Sequence, residues 1–344
     1  MSHPNREGRE RAVELLYESE TKGLHPADVI AGLPIPPLPY AASLAEGVGD
    51  HVELLDHLVG ARARGWSVDR MAALDRALLR LGTYELAFEP EQPEGIVMSE
   101  AVALAKRFST DESPRFVNGV LAAVNEDVRG GGPWRNVSCP LALLIDMDGV
   151  IRHWTRTNQF ADAELGLAPG TVASVALDPD RIRRANDGTI TDEEWRAEVA
   201  TELVERHGCD PSAAATAWAL DGFTFDQGVL ALVRAVQAEG AVTACVSNAS
   251  TRLEADLADH GVDTAFGTVI NSSRLRIMKP APEIYQAAVE AVAVPPGDCL
   301  FVDDRVENVH GALDAGVPAV HFTTAGRLEA TLRRVGLLPS PARD

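Results

Sequence analysis

The feature that most constrains this chain is a break over residues 129–140, RGGGPWRNVSCP, where three consecutive glycines and two prolines separate two stretches with different apolar patterns. Upstream, apolar residues recur at three and four positions. Leu15, Leu16 and Tyr17 mark a first helix, and Leu44, Val48, Val52, Leu55, Leu58 and Val59 a second. Met71, Leu74, Leu78 and Leu81 continue the pattern, followed by Val97, Ala101, Leu104 and Ala105, then Phe116, Val120, Leu121 and Val124. No strand-like alternation interrupts them, so residues 1–128 are predicted to form an all-helical bundle. PIPPLP, residues 34–39, is assigned to a loop, because proline fixes φ and removes a donor.

Downstream the pattern changes to short continuous apolar runs that end in polar residues: LALLI before Asp146, AVTACV before Ser247, CLFV before Asp303, and VPAVHF ending at Phe322. Such runs fit strands buried on both faces of a parallel sheet, with helices between them. Residues 141–344 are therefore predicted to be an α/β domain with a Rossmann-like core. A stretch of about 156–225 interrupts it with acidic helical sequence that opens on a capping signal at Thr191 and Asp192, and is assigned to an inserted helical cap. The Gly/Pro-rich segment 129–140 is assigned to a linker flexible enough for independent tumbling.

A chain of 344 residues is long enough for two folding units, and 46% apolar with 24% charged residues excludes disordered and collagen-like classes. No apolar run approaches the roughly 18 to 20 residues of a membrane helix, and the charged start MSHPNREGRER offers no signal peptide, so a cytoplasmic protein with no membrane partner is expected. Cys139, Cys209, Cys245 and Cys299 form no CxxC pair and are expected to be free thiols. The net charge is −20, with 13 basic and 21 acidic residues before Trp134 and 18 and 30 after it. A protein that simply coats nucleic acid is excluded, although a local basic patch is not.

The sharpest chemical signal is LLIDMDGV, which puts Asp146 and Asp148 at the carboxyl end of the first buried run, the edge where open α/β sheets bind ligands. One carboxylate is placed as a nucleophile and the other as an acid, with Gly149 allowing a sharp turn. Ser247, Lys279 and the pair Asp303 and Asp304 lie at or near the other strand ends. A phosphoryl group among four aspartates is repelled unless a lysine and a divalent cation offset that charge, and few carboxylates plus waters suit magnesium. His153 is a further candidate for a substrate contact, and Trp154, Trp195 and Trp218 for either the substrate side of the cap or its packing.

DMDGV, VSN, MKP and VDDRVENVHGA, in that order, resemble the four motifs of the haloacid dehalogenase-like (HAD) hydrolases over about residues 141–338. The resemblance implies that Asp146 attacks phosphorus to form an aspartyl phosphate, and that Asp148 protonates the leaving oxygen and then helps activate water. It implies that Mg2+ is held by Asp146, the Asp148 carbonyl and Asp303, with Asp304 in support, while Ser247 and Lys279 hold phosphoryl oxygens. An acid at Asp148 favours phosphate esters over carbon–halogen bonds, and a cap after the first strand implies a small phosphorylated substrate. A second half that is a scaffold without turnover remains the alternative.

RAVELLYESE from Arg11, YAASLAEGVGDHVELLDHL from Tyr40, WSVDRMAALDRALLRLGTYEL from Trp66, SEAVALAKRF from Ser99 and SPRFVNGVLAAV from Ser113 resemble the transcription antitermination factor NusB. The implied role is non-enzymatic: binding boxA-type ribosomal RNA together with the ribosomal protein NusE in a transcription complex. Carried over, Arg6, Arg9 and Phe116, with the loop Glu112 to Arg115, are RNA contacts, and Tyr17 and Asp75 face NusE. Guanidinium groups for phosphates and an aromatic face for a splayed base are what single-stranded RNA requires. Glu7 and Glu10 leave the field of REGRER nearly neutral, and an alternative is a phosphatase whose helical half no longer binds RNA. Arg62, Arg64, Arg70, Arg76 and Arg80 are read as either a basic patch or paired surface charges.

Overall fold

The computed structural model describes residues 5–63, 65–154, 158–217 and 222–339, so Arg64 and Trp218 lie outside the described residues. In chain order the helices and strands are α1 (Arg6–Lys22), α2 (Pro26–Ala31), α3 (Pro39–Asp50), α4 (Val52–Arg62), α5 (Ala73–Phe88), α6 (Glu94–Phe108), α7 (Ser113–Val128), β1 (Ala142–Ile145) and β2 (Arg152–Trp154). Then come α8 (Asn158–Glu164), α9 (Thr171–Ala176), α10 (Pro179–Asn186), α11 (Asp192–His207), α12 (Pro211–Ala217), β3 (Phe223–Phe225), α13 (Gln227–Ala238) and β4 (Val242–Ser247). The chain continues through α14 (Leu253–Asp259), β5 (Thr268–Asn271), α15 (Ser272–Leu275), α16 (Pro282–Val292), β6 (Cys299–Asp303), α17 (Val306–Asp314), β7 (Ala319–His321) and α18 (Ala325–Arg334). It forms two compact units, Met1–Pro140 with Gly316–Asp344, and Leu141–Ala315.

Among its described residues up to Val128 the first unit is built of the helices α1 to α7, as its periodicity predicts. Leu15, Leu44, Leu55, Leu58, Leu78, Leu81, Val120 and Leu121 are all buried, which is the stripe a 3.6-residue repeat brings to one side. The run from Leu44 to Val59 is two helices and not one: the backbone leaves helical geometry at His51, where α3 ends and α4 begins. The segment 129–140 does not behave as a free tether. Trp134 and Val137 are buried, the Trp134 ring meets His57 edge-on, and Arg129 donates to the carbonyls of Leu86, Gln92, Glu85 and Glu89. Glu85 and Leu86 are in the last turn of α5 and Glu89 caps it, so the arginine ties the end of α5 to the turn that follows.

In the second unit, β1 pairs in parallel with β4 on one side and β6 on the other, and β4 pairs in parallel with β5. Within this unit the strand order is β5-β4-β1-β6. Every residue of β1 and β6 is buried, which explains their uninterrupted apolar sequence. The chain crosses from β1 to β4 one way and to β6 the other, so the strand order reverses beside β1, opening a crevice at its carboxyl end.

The cap is helical from α8 to α12 and has its own core around Val172, Trp195, Val199 and Leu203. Thr191 caps α11 in a reciprocal capping box with Glu194, as its sequence predicts. Trp195 is buried in that core with its Nε1 donating to the Ala176 carbonyl, so it packs the cap. The cap sits on the loops after β4 and β5: the Asp192 amide donates to Thr251 Oγ1 at 3.0 Å, Ser250 Oγ to Asp192 Oδ1 at 2.9 Å, and Ser272 Oγ to the Asn186 carbonyl at 2.6 Å. Three strands escape the sequence reading. β5 is a short strand, and β2 and β3 form an antiparallel ribbon flanking the cap.

Candidate active site

β1, β4 and β6 deliver Asp146, Ser247 and Asp303 to one rim, because each strand ends where its apolar run ends. Oxygens of Asp146, Asp303 and Asp304 lie within 4.8 Å of one another. The buried Lys279 ammonium spends its three donors there, on Asp146 Oδ1 at 2.7 Å, Asp303 Oδ2 at 2.7 Å and the Val246 carbonyl at 2.8 Å. Asn248 fixes the lysine's backbone from both sides, accepting from its amide at 2.8 Å and donating to its carbonyl at 2.9 Å.

Asp303 is fully buried and accepts from Lys279, from the Arg305 amide at 2.9 Å and from Asn308 Nδ2 at 3.0 and 3.1 Å. Gly149, at φ 89°, leaves the room in which Asp304 sits: a Cβ there would lie 2.0 Å from Asp304 Oδ2. Ser247 Oγ is buried and has no hydrogen-bond partner among the described residues. A buried hydroxyl left this way costs about 1–3 kcal/mol, which is the usual mark of a group held for a ligand.

Burial pushes the Asp146 carboxyl up to about 7 despite the neighbouring Lys279, with Asp303 adding to the rise. Burial works against the charge on Lys279, but Asp146 and Asp303 outweigh it and raise its pKa. Three carboxylates against one ammonium leave an excess of negative charge out of water. A hard divalent cation bound through oxygen relieves that excess, and the donor set, all carboxylate, fits magnesium.

Asp148 is placed differently from the expectation. Its carboxylate is turned to Arg152, which donates from Nε to Oδ1 at 2.6 Å and from Nη2 to Oδ2 at 2.8 Å, while Trp154 Nε1 donates to Oδ1 at 2.9 Å. The Asp148 side chain therefore stands outside the cluster formed by Asp146, Asp303 and Asp304. His153 stands 3.9 Å from Asp226 and half exposed.

The residues expected to meet RNA and protein divide in two. Arg6 is on the surface, paired with Glu100 at 2.7 and 2.8 Å, Tyr17 is 45% exposed, and Phe116 is half-buried at the start of α7 beside exposed Glu112 and Arg115. Arg9 is a correction: it is 1% exposed and bound to buried Glu85 through three contacts of 2.6 to 3.0 Å, so it builds the core and presents nothing to RNA. Asp75 is a correction too. It is buried and accepts from Ser113 Oγ at 2.9 Å, tying α5 to the start of α7 and not facing a partner. Three arginines of the candidate patch are paired: Arg62 with Asp127, Arg76 with Glu20, and Arg80 with Glu20 and Asp56.

The profile of the NusB family matches residues 6–126, and that of the haloacid dehalogenase-like hydrolases matches residues 141–316. A transcription antitermination protein NusB from Kineococcus radiotolerans is 43% identical over 125 residues, covering 35% of this chain and 92% of that protein. The chain belongs to both families, NusB in its first part and the haloacid dehalogenase-like hydrolases in its second. The NusB of Salinispora arenicola is 42% identical over 128 residues, covering 35% of this chain and 94% of its own. A HAD-family enzyme of Bacteroides thetaiotaomicron has been solved as a crystal structure with 20% identity and a TM-score of 0.44, covering 55% of this chain and 95% of its own.

The chain thus joins an all-helical NusB domain to a HAD hydrolase domain with a parallel α/β core. Two residues of the HAD site carry no role in the sequence reading. Asn248, inside the VSN motif, positions Lys279, and Arg152 holds Asp148. The signal for Asn248 was its place directly after Ser247. Arg152 had none beyond being an arginine four residues after an aspartate.

Proposed function

We propose that the HAD half is a magnesium-dependent phosphomonoesterase acting on a small phosphorylated molecule. The observation that carries this is the convergence of Asp146, Asp303, Asp304 and Lys279 at the sheet rim where β4 ends in Ser247, whose buried Oγ has no hydrogen-bond partner among the described residues. Asp146, Asp303 and the Asp148 carbonyl would hold Mg2+, with Asp304 in support, and the ion would offset negative charge as a phosphate enters. A carboxylate oxygen of Asp146 attacks phosphorus, the P–O bond to the alcohol breaks, and Asp148 gives its proton to the leaving oxygen. Water then attacks the aspartyl phosphate as Asp148 takes its proton, releasing phosphate and restoring both carboxyl groups. Ser247 holds a phosphoryl oxygen, and Lys279 holds another by turning one of its donors from Asp146 or Asp303 to the entering phosphate. Phosphate release from a panel of phosphorylated metabolites, with magnesium and with chelator, tests this. No release from any ester in magnesium makes the domain a scaffold.

We infer a second activity for the NusB half, binding of boxA-type RNA with NusE. Exposed Lys106, Arg107 and Arg115 surround the loop before α7, on which Phe116 is half-buried, and Arg6 and Tyr17 are accessible. Arg9 and Asp75 drop out of the contact set because they are buried. Titration of labelled boxA RNA with NusE at low salt tests the reading; absence of binding there removes it.

A further inference from the structure

Asp148 is the group the proposed reaction asks to face the leaving oxygen, yet both its oxygens are occupied. Arg152 and Trp154 place three donors on them at 2.6 to 2.9 Å. Arg152 is itself held firmly. It is 4% exposed, its Nη1 donates to Asp256 on α14 at 3.2 Å, and its guanidinium lies 4.9 Å from the Trp154 ring centre and 5.2 Å from that of Phe223. Its carbonyl accepts from the Gly149 amide at 2.9 Å, closing the turn that carries Asp148. Arg152 and Trp154 are the ends of β2, and Phe223, facing Trp154 edge-on, opens β3. The grip on Asp148 is therefore built into the ribbon at the entrance and exit of the cap.

A planar guanidinium on a carboxylate is among the stronger side-chain contacts, and here it turns the Asp148 carboxylate toward Arg152 and outside the cluster of Asp146, Asp303 and Asp304. We propose that Arg152 and Trp154 are positioning residues that form a clasp, holding Asp148 on the cap ribbon at rest, and that Asp148 must leave the clasp to serve the leaving group. This rests on the phosphomonoesterase reading. It implies that loosening the clasp helps esters whose leaving group needs a proton and does little for those that leave unaided.

The test compares phenyl phosphate with p-nitrophenyl phosphate, esters of similar size whose leaving groups differ in basicity. The readout is the ratio of kcat/KM for phenyl over p-nitrophenyl phosphate, measured in the full chain with magnesium. Trp154→Phe keeps the ring against Phe223 and Arg152 and deletes one donor, so the ratio is expected to rise about threefold to tenfold, the net worth of one solvent-accessible hydrogen bond. Arg152→Lys replaces the fork by a point charge and is expected to move the ratio in the same direction. Asp148→Asn should collapse it. If the ratio is unchanged in Asp148→Asn, Asp148 is not the acid and the functional reading fails. If Asp148→Asn collapses the ratio but Trp154→Phe lowers it or leaves it unchanged, the reading stands and the clasp is overturned.

Discussion

Replacing Arg9 by Met separates a structural role from an RNA-contact role. In the folded chain the guanidinium gives Glu85 three contacts, Nε to Oε1 at 2.9 Å, Nε to Oε2 at 3.0 Å and Nη2 to Oε1 at 2.6 Å, and stacks 5.8 Å from the Tyr40 ring centre. Both charges are nearly inaccessible, at 1% and 2%. Methionine fills much of the volume but leaves Glu85 with the Tyr40 hydroxyl at 3.0 Å as its remaining polar contact of those described. Breaking one side of a buried pair costs about 3–5 kcal/mol. With an m-value near 1.5 kcal/mol/M, the urea midpoint of the NusB unit should fall by about 2–3 M. The assay is urea unfolding of the whole chain by circular dichroism, with hydrogen exchange showing that α1 and α5 are the elements released. The double variant Arg9→Met/Glu85→Leu should regain most of the loss, because no charge is left stranded. An Arg9→Met protein with an unchanged midpoint and weakened boxA binding would refute this and return Arg9 to the RNA-facing set.

Three further outcomes follow from the geometry. Burial, with Arg334 adding to it, holds His51 down at about 4, below its ordinary 6.5. The unfolded chain thus binds a proton first as pH falls, and its contribution to stability, full above pH 6.5, is lost toward pH 4, by up to about 3 kcal/mol; His51→Gln should flatten that slope in urea titrations, and an unaltered slope contradicts it. Ser247→Ala should raise KM for phosphate esters about tenfold while the melting temperature holds or rises, since the hydroxyl has no partner to lose; a fall in stability with KM unchanged would make the hydroxyl structural. Gly149→Ala brings a Cβ to 2.0 Å from Asp304 Oδ2 at a φ of 89°, so Asp304 must move and the magnesium concentration for half-maximal activity should rise at least several-fold; an identical magnesium titration would remove Asp304 from the site.

What the sequence discloses tracks how local the cause is. β1 and β6 are readable because every residue is buried, so apolar character runs unbroken to the aspartate that ends each strand. β5 is not, because its first two residues are half-buried and Asn271 turns to cap the next helix. The ribbon of β2 and β3 is hidden for a related reason: Arg152, His153 and Trp154 give no apolar rhythm in three residues. The acidic cluster is legible because spacing after each strand fixes it. Burial of Arg9 is not, since it depends on a carboxylate 76 positions away on another helix. The split at His51 is equally silent, because the apolar spacing of Leu44 to Val59 continues across a change in backbone direction. Arg152 is missed because its meaning comes from Asp256, 104 residues on, as much as from Asp148.

The central claim is that Asp146 becomes covalently phosphorylated during turnover. Rapid acid quench of the magnesium-loaded chain with p-nitrophenyl phosphate, followed by peptide mass spectrometry, measures it directly. One phosphoryl group on Asp146, absent with chelator and absent in Asp146→Asn, is the predicted result. Turnover that continues in Asp146→Asn, or a phosphoryl group found on another residue, would contradict the account.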